Sequence, residues 1–256
     1  MAAFAAAVIG GMNYYRFTQV MPQCTIHLLT DVSAPSNRDR VLVFAPHPDD
    51  ETIGAGGYIH TAVKAGAVVR IILVTNGNKH GLEPIRYREF RKATNILGVN
   101  QNNLVFLGYP DGRLRKKSRV SLYRVFLQQL EQFNPSIVIY PSPKDHHSDH
   151  SVCGEVIQSI LAQETFKPAA YQYLVHHSRF PQPKKLRPNL YLLPPVRMVT
   201  FDKEWRRLIL TKDTELVKKE AIKCYKTQLR VPFLRSLLFS SIRKNELFAV
   251  DGANDP

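Results

Sequence analysis

Val41-Leu42-Val43-Phe44-Ala45-Pro46-His47-Pro48-Asp49-Asp50-Glu51 is the stretch on which the reading of this chain turns. Its first five residues are continuously apolar, as in a strand buried on both faces. An imidazole and three carboxylates follow within a few residues. The pattern returns further on, where the apolar run Ile137-Val138-Ile139-Tyr140 is followed by His147-Ser148-Asp149-His150. Imidazoles and carboxylates gathered twice, each time just past a buried strand, are the donor set that a divalent metal needs.

Further apolar runs at 68–75, 103–107 and 171–175, and the extended run 136–141, alternate with helical patterns near 51–65, 84–97, 121–133 and 150–163. In the third helix Leu122, Val125, Phe126, Leu130 and Phe133 share one face, and Pro135 helps to stop it. This alternation predicts an α/β fold: a Rossmann-like, mostly parallel sheet with helices on both faces, in a single domain. Right-handed crossovers put every strand's C-terminal end on one edge, the edge at which open α/β sheets bind ligands. Loops 45–51, 75–81, 107–113 and 141–150 share that edge. Both clusters therefore converge on one pocket, with Asn76, Asp111 and Arg113 beside them.

The chain has 256 residues, 44% of them hydrophobic, enough for one full core. Cys24, Cys153 and Cys224 form no paired motif and read as free buried thiols, which favours a reducing compartment and hence the cytoplasm. The apolar stretch Ala2–Met12 is shorter than the roughly 20 residues of a membrane span, and the first cation is only Arg16. It reads as a packed helix or as the end of a membrane anchor.

Net charge is +14, and residues 179–235 hold 15 Lys/Arg against 5 Asp/Glu. The excess sits away from the two clusters and suits an anionic partner or a solvated basic face. Prolines 181, 183, 188, 194 and 195 mark an irregular excursion, followed by an expected strand near 196–201 and a helix near 213–228. From 230 to 243, Phe233, Leu234, Leu237, Leu238 and Ile242 fall at helical spacing among cations. That pattern suits either docking on the core or a peripheral membrane contact.

Catalytic zinc takes three nitrogen or oxygen ligands and leaves one position open. His47 and Asp50, three apart across a strand-to-helix turn, and His150 from the next unit supply such a set. Asp49 is left to act as general base on the water at the metal. His147 suits oxyanion stabilisation or protonation of the leaving group. Asp149 suits holding His147 or a ligand imidazole in one tautomer. Hydrolysis of an amide or ester follows. Glu51 reads instead as a helix-start carboxylate. Gly54, Gly56 and Gly57 read as close-packing positions, and His60, His80, His176 and His177 as structural.

Ala45-Pro46-His47-Pro48-Asp49-Asp50-Glu51 with Gly56-Gly57 resembles the PIG-L/LmbE-like zinc-dependent N-acetylglucosaminyl deacetylases. The similarity continues through Thr75-Asn76-Gly77, Arg86-Tyr87-Arg88-Glu89, Leu107 to Gly112, His147 to His150, and Lys219 to Gln228 with Tyr225. It implies one Zn2+ per chain, at a site other divalent metals also fit, held by His47, Asp50 and His150. It implies Asp49 as base, His147 as electrophile or acid oriented by Asp149, and Arg86 and Asp111 on the sugar. The implied substrate is an N-acetylated amino-sugar conjugate, for which the basic region favours an anionic aglycone. Nucleic acid is not an expected partner.

The implied organisation is an N-terminal apolar segment and lead-in over 1–35, a deacetylase domain over 36–229, and a basic amphipathic C-terminal tail over 230–256. Asp145 to His150 also resembles a metallo-β-lactamase signature, which needs His at position 145, and a DHH-type phosphoesterase run. Neither accounts for His47 to Asp50. The non-enzymatic alternative is a basic α/β protein binding nucleic acid or anionic lipid, with salt-sensitive affinity and no need of metal.

Overall fold

A computed structural model describes residue 10 and residues 20–78, 81–165, 167–200 and 203–251. The Ala2–Met12 stretch lies, Gly10 apart, outside these residues, as does His80. One sheet of eight strands organises the chain. The strands are β1 (Thr30–Asp31), β2 (Arg40–Ala45), β3 (Val68–Thr75), β4 (Leu104–Tyr109), β5 (Ile137–Pro141), β6 (Ala169–Tyr173), β7 (Lys203–Ile209) and β8 (Asn245–Asp251). The helices are α1 (Asp50–Lys64), α2 (Glu83–Ile96), α3 (Arg119–Phe133), α4 (Ser148–Gln163), α5 (Lys212–Ile222), α6 (Lys226–Leu229) and α7 (Pro232–Ser240).

The sheet runs β1-β7-β8-β6-β5-β2-β3-β4, with β4-β3-β2-β5-β6 all parallel. The chain moves outward from β2 through β3 to β4, then returns to β5 on the other side of β2. That reversal opens a crevice at the C-terminal ends of β2 and β5. The two clusters of imidazoles and carboxylates follow these two strands, so the topology brings them together.

The apolar runs are continuous because both faces of the sheet are covered. Val41, Val43 and Ala45 point into one core with Ile53 and Ile59 of α1, Phe90 of α2 and Ile222 of α5. Leu42 and Phe44 point the other way, into a second core with Phe126 and Leu130 of α3 and Val152 and Ile157 of α4. The alternation has the period of two that a strand imposes. Of the three glycines expected at close-packing positions, Gly54 and Gly57 are such, whereas a Cβ at Gly56 would meet nothing nearer than Thr52 at 3.4 Å. A Cβ would lie 2.4 Å from the Tyr173 ring at Gly54 and 2.5 Å from Leu210 at Gly57.

Three expectations need correction. Residues 196–198 form a 3-10 turn, and the strand lies at β7, where Arg206 and Arg207 mask the apolar alternation. The helix expected over 213–228 breaks after Ile222, so that Tyr225 turns inward. Most consequentially, residues 230–251 are no tail. β8 inserts antiparallel between β6 and β7, and pairs with β7 along its whole length from Lys203↔Asp251 to Ile209↔Asn245. The strand carries Asn245 and Glu246 into the interior, where Asn245 bonds the Leu192 backbone, so polarity hid it. Residues 30–31 likewise belong to the sheet through β1.

Part of the basic excess is internal. Lys203 is bonded to Gln172 and Asp251, and Lys218 to Glu246. Of the cysteines, only Cys153 is buried, while Cys24 is exposed and Cys224 intermediate. Among the described residues no helix is long and apolar enough to cross a membrane.

Candidate active site

The loop after β2 carries the first cluster. Asp50 opens α1, and its Oδ2 accepts the His47 backbone N–H at 2.8 Å. The same oxygen lies 3.1 Å from His47 Nδ1 and 2.9 Å from His150 Nε2, while the two nitrogens are 3.3 Å apart. These three atoms form a compact triangle. Ligands at ~2.0–2.1 Å from a tetrahedral zinc stand roughly 3.3 Å from one another. Two imidazole nitrogens and a carboxylate oxygen at this spacing therefore fit a face of such a site.

The far nitrogens are braced. His47 Nε2 lies 3.2 Å from Asp149 Oδ2 and 3.3 Å from Asp111 Oδ1. Carboxylates there favour a ring proton on Nε2, the tautomer that would offer Nδ1 to a metal. His150 Nδ1 lies 3.4 Å from Asp145 Oδ2. Burial alone would depress both imidazoles, but the facing carboxylates outweigh it: His47 is raised well above its usual range and His150 to about 9. Burial also works against ionisation of Asp50 and Asp145. The histidines reverse the outcome, holding Asp50 well below the carboxylate range and Asp145 near 2.

Asp49 is the residue just before α1, at φ 132° and ψ −25°. A non-glycine residue there is strained by roughly 1–3 kcal/mol, and such strain concentrates at functional sites. Burial raises the Asp49 carboxyl well above its ordinary range, against the pull of Arg86. Arg86, from α2, sits 3.5 Å from Asp49 Oδ2 and 3.5 Å from Asp111 Oδ2. It also donates to the carbonyls of Pro48 at 2.8 Å and Gly77 at 3.3 Å. One buried guanidinium thus ties together the loops that follow β2, β3 and β4. Both Arg86 and Asp111 line the pocket, at positions also bonded to the protein itself.

His147 caps α4, its Nδ1 accepting the Asp149 amide N–H at 3.3 Å. Its ring lies 4.6 Å from the His47 ring, and burial with the neighbouring histidines lowers it to about 4. The carboxylate of Asp149, expected on either His147 or a ligand imidazole, reaches the imidazole of His47. Asp149 meets His147 through its backbone amide, while the amides of Gly112 and Leu114 hold its carboxylate at 2.7 and 3.0 Å.

Three contributors escaped the sequence reading. His176, set aside as structural, lines the pocket with its ring 4.8 Å from that of His150. Asp145 accepts the amides of His147, Val175 and His176 and so joins the loop after β5 to the segment after β6. Glu51 is fully buried, bonded by Thr52 at 2.6 Å and by Tyr225, and burial raises it to about 7. The doublet His176-His177 at a strand end was the available signal for the first of these.

The pocket over this cluster has a volume of about 390 Å3, within the small-ligand range. His47, Asp49, Asp50, Arg86, Asp111 and His147 line one side, and Phe233, Leu234 and Leu237 of α7 the other.

Residues 42–161 match the family described as PIG-L, GlcNAc-PI de-N-acetylase. A probable N-acetyl-α-D-glucosaminyl L-malate deacetylase 2 from Bacillus anthracis is 32% identical over 151 residues, covering 53% of this chain and 66% of the relative. A diacetylchitobiose deacetylase from Thermococcus kodakarensis is 29% identical over 127 residues, covering 45% of this chain and 46% of the relative. The chain thus spans less than two thirds of the length of these curated relatives. The solved N,N'-diacetylchitobiose deacetylase from Pyrococcus horikoshii shares the fold at a TM-score of 0.61 and 23% identity, over 87% of this chain and 88% of that one.

Proposed function

Residues 42–161 of this chain belong to the PIG-L family, and from that premise we propose a zinc-dependent N-deacetylase acting on an N-acetylglucosamine-type amino-sugar conjugate. The observation that carries this reading is the triangle of His47 Nδ1, Asp50 Oδ2 and His150 Nε2, with Asp49 and His147 beside it. Bound by these three residues, zinc or another divalent ion supplies a Lewis acid that polarises the amide carbonyl and acidifies water next to it.

The remaining chemistry belongs to the chain. Asp49 takes a proton from the attacking water and passes it to the departing amine nitrogen. Its burial strengthens it as a base. His147, with Nδ1 engaged by an amide, keeps its proton on Nε2 and donates to the carbonyl oxygen as negative charge develops there. Asp149 and Asp145 hold the two ligand imidazoles in the required orientation. Asp111 and Arg86, at the pocket wall, offer an acceptor and a donor to sugar hydroxyls. The exposed cations of 179–235 suit an anionic group further out on the conjugate.

The test is acetate release from N-acetylglucosaminides by metal-analysed protein. The expected result is near-stoichiometric zinc, activity lost on chelation and restored by zinc. Fully metallated protein that releases acetate from no N-acetylhexosamine conjugate would sink the reading.

A further inference from the structure

A second cavity of about 300 Å3 lies against the catalytic pocket. The two share His176, Phe233 and Leu237 as walls and are therefore immediate neighbours. Val175, Phe180 and Pro181 line it together with the imidazoles of His146 and His177, and its surface is predominantly apolar. Among the described residues no carboxylate lines it. The Ser240 hydroxyl on its α7 wall is already engaged, accepting the Lys185 amide and donating to the Ser236 carbonyl. Lys184 Nζ stands 5.6 Å from the centre of the Phe233 ring, and both side chains reach solvent. Apart from His146, the residues that line the cavity lie outside residues 42–161, so it is built mainly by the part of the chain beyond the family match.

A second sugar ring entering here would bring more hydroxyls against this mostly apolar surface than its few imidazoles and serines can bond, and each hydroxyl left unbonded is costly. A small dicarboxylic acid would need cations within the cavity, and Lys184 stands at its solvent side. An alkyl or aryl group meets neither penalty and gains from leaving water. We propose that this cavity is the aglycone subsite. It takes an apolar group of roughly ten non-hydrogen atoms attached at the anomeric position of the sugar. The proposal rests on the catalytic pocket's being an amino-sugar site.

The experiment compares acetate release from methyl, n-hexyl and phenyl N-acetyl-D-glucosaminides, both anomers of each, and from N,N'-diacetylchitobiose. The hexyl and phenyl glycosides are expected to exceed the methyl glycoside in kcat/KM by roughly tenfold or more. Ser236→Trp fills the cavity from α7, at a position that does not line the catalytic pocket. It should abolish that gain and leave methyl-glycoside turnover unchanged. Ser178→Trp, at an exposed position on the opposite wall, gives a second obstruction if the first variant does not fold.

Equal kcat/KM for methyl and apolar glycosides overturns the subsite, as does a preference for the disaccharide. If no glycoside releases acetate, the deacetylase reading falls, and calorimetric binding of the same glycosides to the zinc-loaded protein decides the subsite. Hexyl binding roughly tenfold tighter than methyl, lost in Ser236→Trp, then supports it. Equal binding overturns it.

Discussion

The carboxylate of Asp149, in the first turn of α4, lies 3.2 Å from Nε2 of His47, a residue on the loop after β2. The amides of Gly112 and Leu114 lock that carboxylate from its other side. Three strand-end loops therefore fix the orientation of one imidazole. Asp149→Asn is expected to weaken zinc binding by roughly 10–100-fold while the fold persists. Competition against a chromophoric chelator reads this directly. Unchanged affinity would mean that Asp111, 3.3 Å from the same nitrogen, suffices alone.

Asp49 and His150 should separate binding from chemistry. Asp49→Ala is expected to keep its zinc and lose turnover by roughly 10²–10⁴-fold. His150→Ala is expected to lose both, since it removes a corner of the triangle. Near-normal turnover in Asp49→Ala would remove it as the base. The strained backbone at Asp49 adds a second readout. Asp49→Gly should match or exceed the parent in thermal stability while remaining inactive, because glycine tolerates φ 132°.

Metal removal should cost stability as well as activity. His47 Nδ1, Asp50 Oδ2 and His150 Nε2 are held within 3.3 Å of one another, and a cation among them favours the folded arrangement. Zinc at about 100 times its dissociation constant adds ~2.7 kcal/mol. For a chain of this size that is a rise of roughly 5–10 °C in Tm. Calorimetry of chelated and reconstituted protein checks it. Equal transitions at saturating zinc would deny the site.

Lys218 and Glu246 form a buried ion pair between α5 and β8. Lys218 also donates to the Ile53 carbonyl, and Glu246 accepts the amides of Gly57 and Tyr58, so both partners grip α1. Lys218→Met leaves the carboxylate buried without its cation and should cost about 3–5 kcal/mol. Denaturant unfolding measures this. A loss under 1 kcal/mol would mean that the two amides satisfy Glu246 unaided.

Gly54 faces the Tyr173 ring, whose hydroxyl donates to the Phe44 carbonyl at 2.8 Å and so cannot swing aside freely. Gly54→Ala should destabilise by about 1–3 kcal/mol through overpacking. Because α1 carries the proposed metal ligand Asp50 at its first position, reduced zinc affinity should accompany the loss. A variant of parental stability and affinity would show that α1 has room to shift.

The five-stranded parallel part of the sheet, and the convergence of His47, Asp50 and His150, were legible in the chain itself. Continuous apolar runs such as Val41–Ala45 can only be strands covered on both faces, and topology then carries their C-terminal loops to one edge. The antiparallel β8 was not legible, since Asn245 and Glu246 are polar residues whose partners, Leu192 and Lys218, lie far away in sequence. Nor was the bond from Asp149 to His47 over His147, the entry of His176 into the pocket, or the apolar cavity behind Phe233. Local pattern reports which face of an element is buried. Which partner a buried polar group finds, and what space two distant segments enclose, exist only once the chain has closed on itself.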